Sequence, residues 1–149
     1  MKEKILVSRC LLGENVRYDG GNCLINKSKL AKIEKNFEII PICPEVLAGM
    51  SIPREPIELI NNSIYNEKNE KLDDMFIPVF NYLKILVVKN KIKYALLKEF
   101  SPSCGVHEVY DGTFSGKTVS GMGLVTAFLK KEGVTVFSEH EMNQLIEAK

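Results

Sequence analysis

The sequence contains no Cys-x-x-Cys pair. Closed structural zinc sites are usually built on such pairs, so that framework is missing, and Cys104-x-x-His107 is the nearest approach to it. No apolar run approaches the length of a membrane span. No block of like charge exists either. The 20 basic residues nearly cancel the 19 acidic ones, for a net charge of +1. That balance argues against broad binding to nucleic acid or to an anionic membrane. No linker, low-complexity tract or long repeat divides the 149 residues, so one domain spanning 1–149 is expected, long enough for a real core. The N-terminus imitates an export signal, but Glu3 and Arg9 spoil it and no small-residue cleavage site follows. A cytoplasmic protein is expected, in which Cys10, Cys23, Cys43 and Cys104 serve as thiols, metal ligands or catalysts rather than in disulfides. Arginine is scarce as well. Arg9, Arg17 and Arg54 are the three arginines among those 20 basic residues, and all lie close in sequence to Cys10 or Cys43. A chain that uses lysine for general surface charge keeps arginine where a planar fork of donors is needed.

What is present centres on Lys98–Gly105. The apolar run Tyr94-Ala95-Leu96-Leu97 reads as a buried strand leading into Ser-Pro-Ser-Cys-Gly. Pro102 cannot donate to a sheet ladder, and Gly105 permits a sharp turn or a close approach. A cysteine and two hydroxyls therefore stand where a strand ends, the end at which α/β proteins bind ligands.

The rest of the chain repeats the pattern. Lys4–Arg9 reads as a first strand, followed by a long glycine-containing loop. Asn26 or Ser28 caps a helix to Lys35, with Leu30, Ala31 and Ile33 facing inward. Phe37–Ile42 is a second strand, placed at an edge by Pro41. Ile57–Asn66 reads as a hairpin turning at Asn61-Asn62, and Asp73 or Asp74 starts a helix to about Asn90, with Pro78 in its first turn or at a kink. Tyr94–Phe100 is the third strand, Val119–Lys131 a helix ended by Gly133, Val134–Phe137 a fourth strand, and Glu139–Ala148 a terminal helix. Alternating strands and helices predict an α/β fold. The expectation is a parallel, Rossmann-like, doubly wound sheet of about four strands in the order 2-1-3-4, flanked by helices.

In that order Cys10, Cys43 and Cys104 each follow one of three neighbouring parallel strands, so their thiols gather at one rim. Soft thiolates suit zinc or an iron–sulfur cluster, and three ligands to a cubane leave one iron open. Cys23 is a fourth ligand, a resolving thiol or a bystander, the last being favoured. Glu45, two residues after Cys43, is a general-base candidate or an ordinary carboxylate at a helix N-terminus. Ser101 and Ser103 bind a substrate carbonyl or ring nitrogen, or cap a turn. Arg17 and Arg54 balance an anionic cluster, contact substrate, or pair with Asp19, Glu45 or Glu55. His107 and His140 read as surface or hydrogen-bonded residues.

Two motifs fail on spacing. Gly112–Thr118 looks like a phosphate-binding P-loop, but Asp111 stands where its first glycine is needed. A cysteine-phosphatase loop starting at Cys10 would put its arginine at position 16, which holds Val16. A real echo remains: Tyr18-Asp19-Gly20 and Tyr110-Asp111-Gly112 read as two similar turns flanking the site.

Four motifs together resemble a known family. Cys-Leu-Leu-Gly-x-x-Val-Arg-Tyr-Asp-Gly at Cys10–Gly20, Cys-Pro-Glu at Cys43–Glu45, Pro-Arg-x-Pro at Pro53–Pro56, and Ser-Pro-Ser-Cys-Gly at Ser101–Gly105 with the following Tyr-Asp-Gly-Thr-Phe are similar to those of the thiouracil desulfurases. The match runs in order over nearly the whole chain. The resemblance implies a [4Fe-4S] cluster on Cys10, Cys43 and Cys104, with Glu45 as the acid–base residue and Ser101 holding the substrate. It implies a small thiolated nucleobase as partner and removal of sulfur from its thiocarbonyl. Against it stands a reading from another class: a zinc- or cluster-binding module for sulfur transfer or redox sensing, its site closed by Cys23 or His107.

Overall fold

A computed structural model describes residues 2–148. Its centre is a four-stranded parallel sheet of β1 (Glu3–Ser8), β2 (Phe37–Ile42), β5 (Tyr94–Leu97) and β8 (Thr135–Ser138), in the order β2-β1-β5-β8. This is the expected 2-1-3-4 order. Ile5, Leu6 and Val7 of β1 are all fully buried, so the strand is covered on both faces, as parallel strands are. Alternate residues point to opposite faces and meet different helices. Leu6, Ala95, Leu97 and Val136 pack with α3 (Ile77–Asn90) and α4 (Leu124–Lys131). Ile5, Val7 and Leu96 pack with α1 (Lys27–Asn36) and α5 (Met142–Glu147). Each fully buried aliphatic side chain contributes about 1.5–3 kcal/mol. Pro41, with no N–H to give, lies on the edge strand β2 opposite Val7.

Local chemistry sets the ends. Asn26 caps α1 by accepting from the N–H groups of Ser28 and Lys29. Ile33 is the buried residue of α1; Ala31, expected to face inward, is exposed. The hairpin forms as β3 (Ile57–Ile60) and β4 (Ser63–Asn66), with Asn61 and Asn62 both at positive φ, as a two-residue turn requires. Pro78 occupies the first turn of α3, behind a 3-10 turn at Asp73–Phe76.

Two expectations fail here. The strand expected over Tyr94–Phe100 ends at Leu97, because side chains take over its donors. Ser8 Oγ accepts from Lys98 N at 3.1 Å, and Glu139 Oε1 from Glu99 N at 2.8 Å. The helix expected from Val119 begins only at Leu124. Thr118–Ser120 instead forms β7, antiparallel to β6 (Glu108–Tyr110), and Gly121 and Gly123 separate that ribbon from α4. β-branched Thr118 and Val119 favour the strand. No helix among the described residues is long and apolar enough to cross a membrane.

Candidate active site

The C-terminal ends of β2, β1 and β5 open onto one cavity of about 400 Å³. Each strand delivers a cysteine to it. Cys43 follows Ile42 directly and precedes the short helix α2 (Pro44–Leu47), Cys10 lies in a 3-10 turn over Arg9–Leu12, and Cys104 ends the turn after β5. All three line the cavity, as do Glu45, Ser101, Ser103, Arg17 and Arg54. Every residue expected at the site is therefore gathered there. Cys23 is not among the lining residues. It stands behind Cys10, its N–H donating to the Cys10 carbonyl at 2.8 Å, and its sulfur accepts from Arg17 Nη1 at 3.4 Å. His107 is exposed and bonded to Glu141 at 2.7 Å.

Burial raises the thiols. Cys10 is pushed up to about 12 by burial, with Cys23 and Cys43 adding and Lys98 opposing. Burial also raises Cys43 and, most strongly, Cys104, where the Ser103 and Ser8 hydroxyls oppose it. Three soft sulfurs ringing one cavity are a fitting donor set for an iron–sulfur cluster. Among the described residues no three Cys, His, Asp or Glu side chains are arranged to hold a single metal ion.

The acid–base candidate is held on both oxygens. Arg54 Nε donates to Glu45 Oε1 at 2.9 Å, and the Ser103 hydroxyl to Oε2 at 3.2 Å. Arg54 also donates to the carbonyls of Val16 at 2.8 Å and Ser51 at 3.2 Å. Ser101 Oγ lies 3.0 Å from Ser103 Oγ and accepts from the N–H groups of Ser103 and Cys104. That hydroxyl thus caps the cysteine turn while bordering the cavity. Arg17 is looser, 3.8 Å from Asp19 and over the Tyr18 ring. All three arginines line the cavity, beside a single lysine, Lys98.

The turn carrying Cys104 is built from behind. Glu99, 3% exposed, accepts through Oε1 from the N–H groups of Val106, His107 and Glu108. Burial alone would raise this carboxyl, but those N–H groups, with that of Phe100, outweigh it and hold it low. The first turn of α4 is capped by the same loop: Gly123, Leu124 and Val125 donate to the carbonyls of Gly105, Pro102 and Ser103. Gly105 proves necessary for packing against its own chain. A Cβ there would stand 2.7 Å from the Glu108 carbonyl oxygen.

The two Tyr-Asp-Gly segments are similar turns. Asp19 Oδ1 accepts from Gly21 N and Asp111 Oδ1 from Thr113 N, Gly20 and Gly112 both have positive φ, and both tyrosines line the cavity. The segment resembling a P-loop joins two strands of a ribbon, and its Gly112 and Phe114 N–H groups are taken by Glu58. Sequence reasoning gave no role to Ser8, Lys98, Phe100 or Phe114, which also line the cavity. For Ser8 and Lys98 the available signal was position, Ser8 closing β1 and Lys98 directly following β5.

Comparison with known proteins places the chain in a family. The pattern describing the 2-thiouracil desulfurase family matches residues 5–141. The chain is 36% identical to an uncharacterized protein of Bacillus subtilis (strain 168), YbbK, covering 95% of this chain and 99% of the relative. It is similar to the solved structure of a [4Fe-4S]-dependent thiouracil desulfidase, TudS, with a TM-score of 0.92, 38% identity, and coverage of 99% of this chain and 97% of the other. A family match over most of the chain, carried by near full-length relatives, shows that the chain belongs to the 2-thiouracil desulfurase family.

Proposed function

We propose that the chain is a desulfurase that converts a thiocarbonyl of a thiolated pyrimidine, of the 2-thiouracil type, into a carbonyl without net redox change. The observation that carries this reading is the placement of a doubly held carboxylate, Glu45, on the same cavity as three strand-end thiols. The likeness to a [4Fe-4S]-dependent thiouracil desulfidase supports it. Cys10, Cys43 and Cys104 would hold a [4Fe-4S] cluster. When bound, the cluster supplies a soft, Lewis-acidic iron with an open position for the substrate sulfur.

The remaining chemistry belongs to side chains of this protein. Glu45 takes a proton from water, and the water oxygen attacks the thiocarbonyl carbon. A C–O bond forms, the C–S bond breaks, and the sulfur leaves with protons as hydrogen sulfide. No electron is gained or lost, so no oxidant or reductant enters. Arg54 fixes the direction of the Glu45 carboxylate. Ser101 and Ser103 offer hydroxyls to a substrate carbonyl or ring nitrogen, and Arg17, also on the cavity wall, offers a cation to the substrate. The binding-module reading has less support, because the Cys23 sulfur is bonded to Arg17, His107 is exposed and bonded to Glu141, and neither is among the residues lining the cavity.

The test is anaerobic release of sulfide from 2-thiouracil by cluster-loaded protein. Glu45→Gln is expected to keep the cluster and lose roughly a hundred- to ten-thousand-fold in turnover, the usual contribution of a general base. Near-parental turnover in that variant removes Glu45 from the mechanism. A fully loaded parent that releases no sulfide from any of several thiolated pyrimidines overturns the desulfurase reading.

A further inference from the structure

Six non-glycine residues among those described have positive φ. Three are asparagines, which tolerate that conformation, and a fourth, Lys91, ends α3. The other two are phenylalanines, Phe100 at +72° and Phe114 at +56°. Nothing in a phenyl side chain favours the left-handed region; glycine or asparagine would hold the same backbone with less strain. The backbone is nevertheless pinned there. Phe100 N donates to the Glu108 carbonyl at 3.1 Å, and Phe114 N to Glu58 Oε1 at 3.1 Å.

Neither ring offsets its strain by burial in a core. Both are only partly buried, and neither belongs to either of the two packed apolar clusters. Both line the cavity that holds the thiols and Glu45, together with Tyr18 and Tyr110. Phe100 stands 6.1 Å, centroid to centroid, from Tyr110. Residues held in sparsely populated backbone regions cluster where structure is spent on function. The Lys98 ammonium lies 5.1 Å from the Phe100 centroid, so that ring is already a cation–π platform on the cavity wall. Aromatic rings bordering a polar, thiol-lined cavity recognise flat π-systems.

Building on the function proposed above, we infer that Phe100 and Phe114 are specificity-determining residues: they seat a planar, unsaturated thiocarbonyl heterocycle by ring stacking and disfavour acyclic thiocarbonyl compounds. The hydroxyls and carboxylate then act on a substrate whose plane is already set. A thioamide without a ring has the reacting group but no face to stack.

The experiment uses Phe100→Gly, Phe114→Gly, the two Phe→Leu variants and the two Phe→Tyr variants. Binding of 2-thiouracil and of uracil is measured by titration calorimetry, melting temperature is recorded, and sulfide release is compared between 2-thiouracil and thiourea. The glycine variants relieve the backbone, so their melting temperature should hold or rise. Their affinity for 2-thiouracil should fall roughly 5- to 150-fold per ring, the range for loss of one base–aromatic stack. Their preference for 2-thiouracil over thiourea should fall with it. Leucine keeps apolar bulk and should bind as weakly as glycine; tyrosine keeps the ring and should bind like the parent. A melting temperature several degrees lower with unchanged affinity makes the rings structural and overturns the inference. So does parental affinity in the leucine variants. A parent that releases sulfide while the glycine variants bind as it does overturns this inference alone; a parent that neither binds nor turns over any thiolated pyrimidine overturns it together with the function reading.

Discussion

Arg54 and Glu45 meet at 2.9 Å with only 5% and 12% of their side chains exposed, and the same guanidinium donates to the carbonyls of Val16 and Ser51. One planar fork thus ties the segment after Cys10, the segment after Cys43 and the Pro53–Pro56 segment to one carboxylate. Lysine supplies the charge but not the fork. Arg54→Lys is expected to lower turnover on the order of a hundredfold, because a displacement of about an ångström costs that much. Arg54→Gln leaves the buried Glu45 without its cationic partner, with the Ser103 hydroxyl alone still donating to it, and should destabilise the protein by about 3–5 kcal/mol. Thermal denaturation and sulfide release in the same preparations check both. Parental turnover in Arg54→Lys would show that charge alone suffices.

A Cβ on Gly123 would be driven into the Ser103 carbonyl and to 2.7 Å from Cys104 N. Those atoms are backbone and cannot swing aside. Gly123→Ala should therefore push the cysteine turn off α4, losing cluster retention and activity together. Gly133→Ala, away from the cavity, is the control: its φ of +86° carries the strain of an alanine, but nothing lies within 4 Å of the added Cβ. The iron-to-protein ratio after reconstitution, measured for both, reads the difference.

The strand-end cysteines were legible because a parallel sheet turns sequence order into spatial order. Buried runs such as Ile5-Leu6-Val7 and Tyr94-Ala95-Leu96-Leu97 mark the strands, and right-handed crossovers fix their order. The partners that hold the site were less legible. Arg54 was one of several conceivable pairs for Glu45, and only the fold brings Ser103 to the other oxygen. The β6–β7 ribbon was missed because its strands are short and its Gly-rich segment reads as loop. Glu99 looked like the tail of a strand. Its role depends on where the chain turns after it, which is a tertiary fact.

Glu99 gives a pH signature. Its carboxylate is held low in the folded protein by donated N–H groups, so folding favours the charged form. The resulting stability is present above the unfolded glutamate value of about 4.3 and is lost as pH falls through the lower folded value. Glu99→Gln should cost about 1.5–3 kcal/mol near neutrality, the range for hydrogen bonds to charged groups. The gap between parent and variant should close progressively below about pH 4, as the parent carboxyl takes up a proton. Urea denaturation at a series of pH values measures it. A gap of constant size down to pH 2 would mean that shape, not charge, carries the contribution of Glu99.

The last prediction concerns which sulfurs hold the cluster. Cys10, Cys43 and Cys104 border one cavity, while Cys23 is turned to Arg17 behind Cys10. Cys10→Ser, Cys43→Ser and Cys104→Ser should each abolish the brown absorbance of anaerobically reconstituted protein; Cys23→Ser should keep it. Burial holds the Cys10 thiol up to about 12, and Cys43 and Cys104 are raised with it, so all three carry protons at neutral pH when metal-free. Ligation must displace those protons, and iron competes with them less well as pH falls. Cluster retention should therefore weaken steadily from pH 8 to pH 6 in both the parent and Cys23→Ser. The metal-free protein should show no thiol-linked change over that range, and its thiol-linked loss should begin only at higher pH. A raised thiol value contributes stability that is full below the ordinary value of about 8.5 and is lost as pH rises toward about 12. Absorbance, iron and sulfide content from pH 6 to pH 8, and urea midpoints of the metal-free protein from pH 6 to above pH 9, separate the two behaviours. Loss of the cluster in Cys23→Ser, with a folded protein by circular dichroism, would make Cys23 a fourth ligand, close the open position and return the balance to a binding module without turnover.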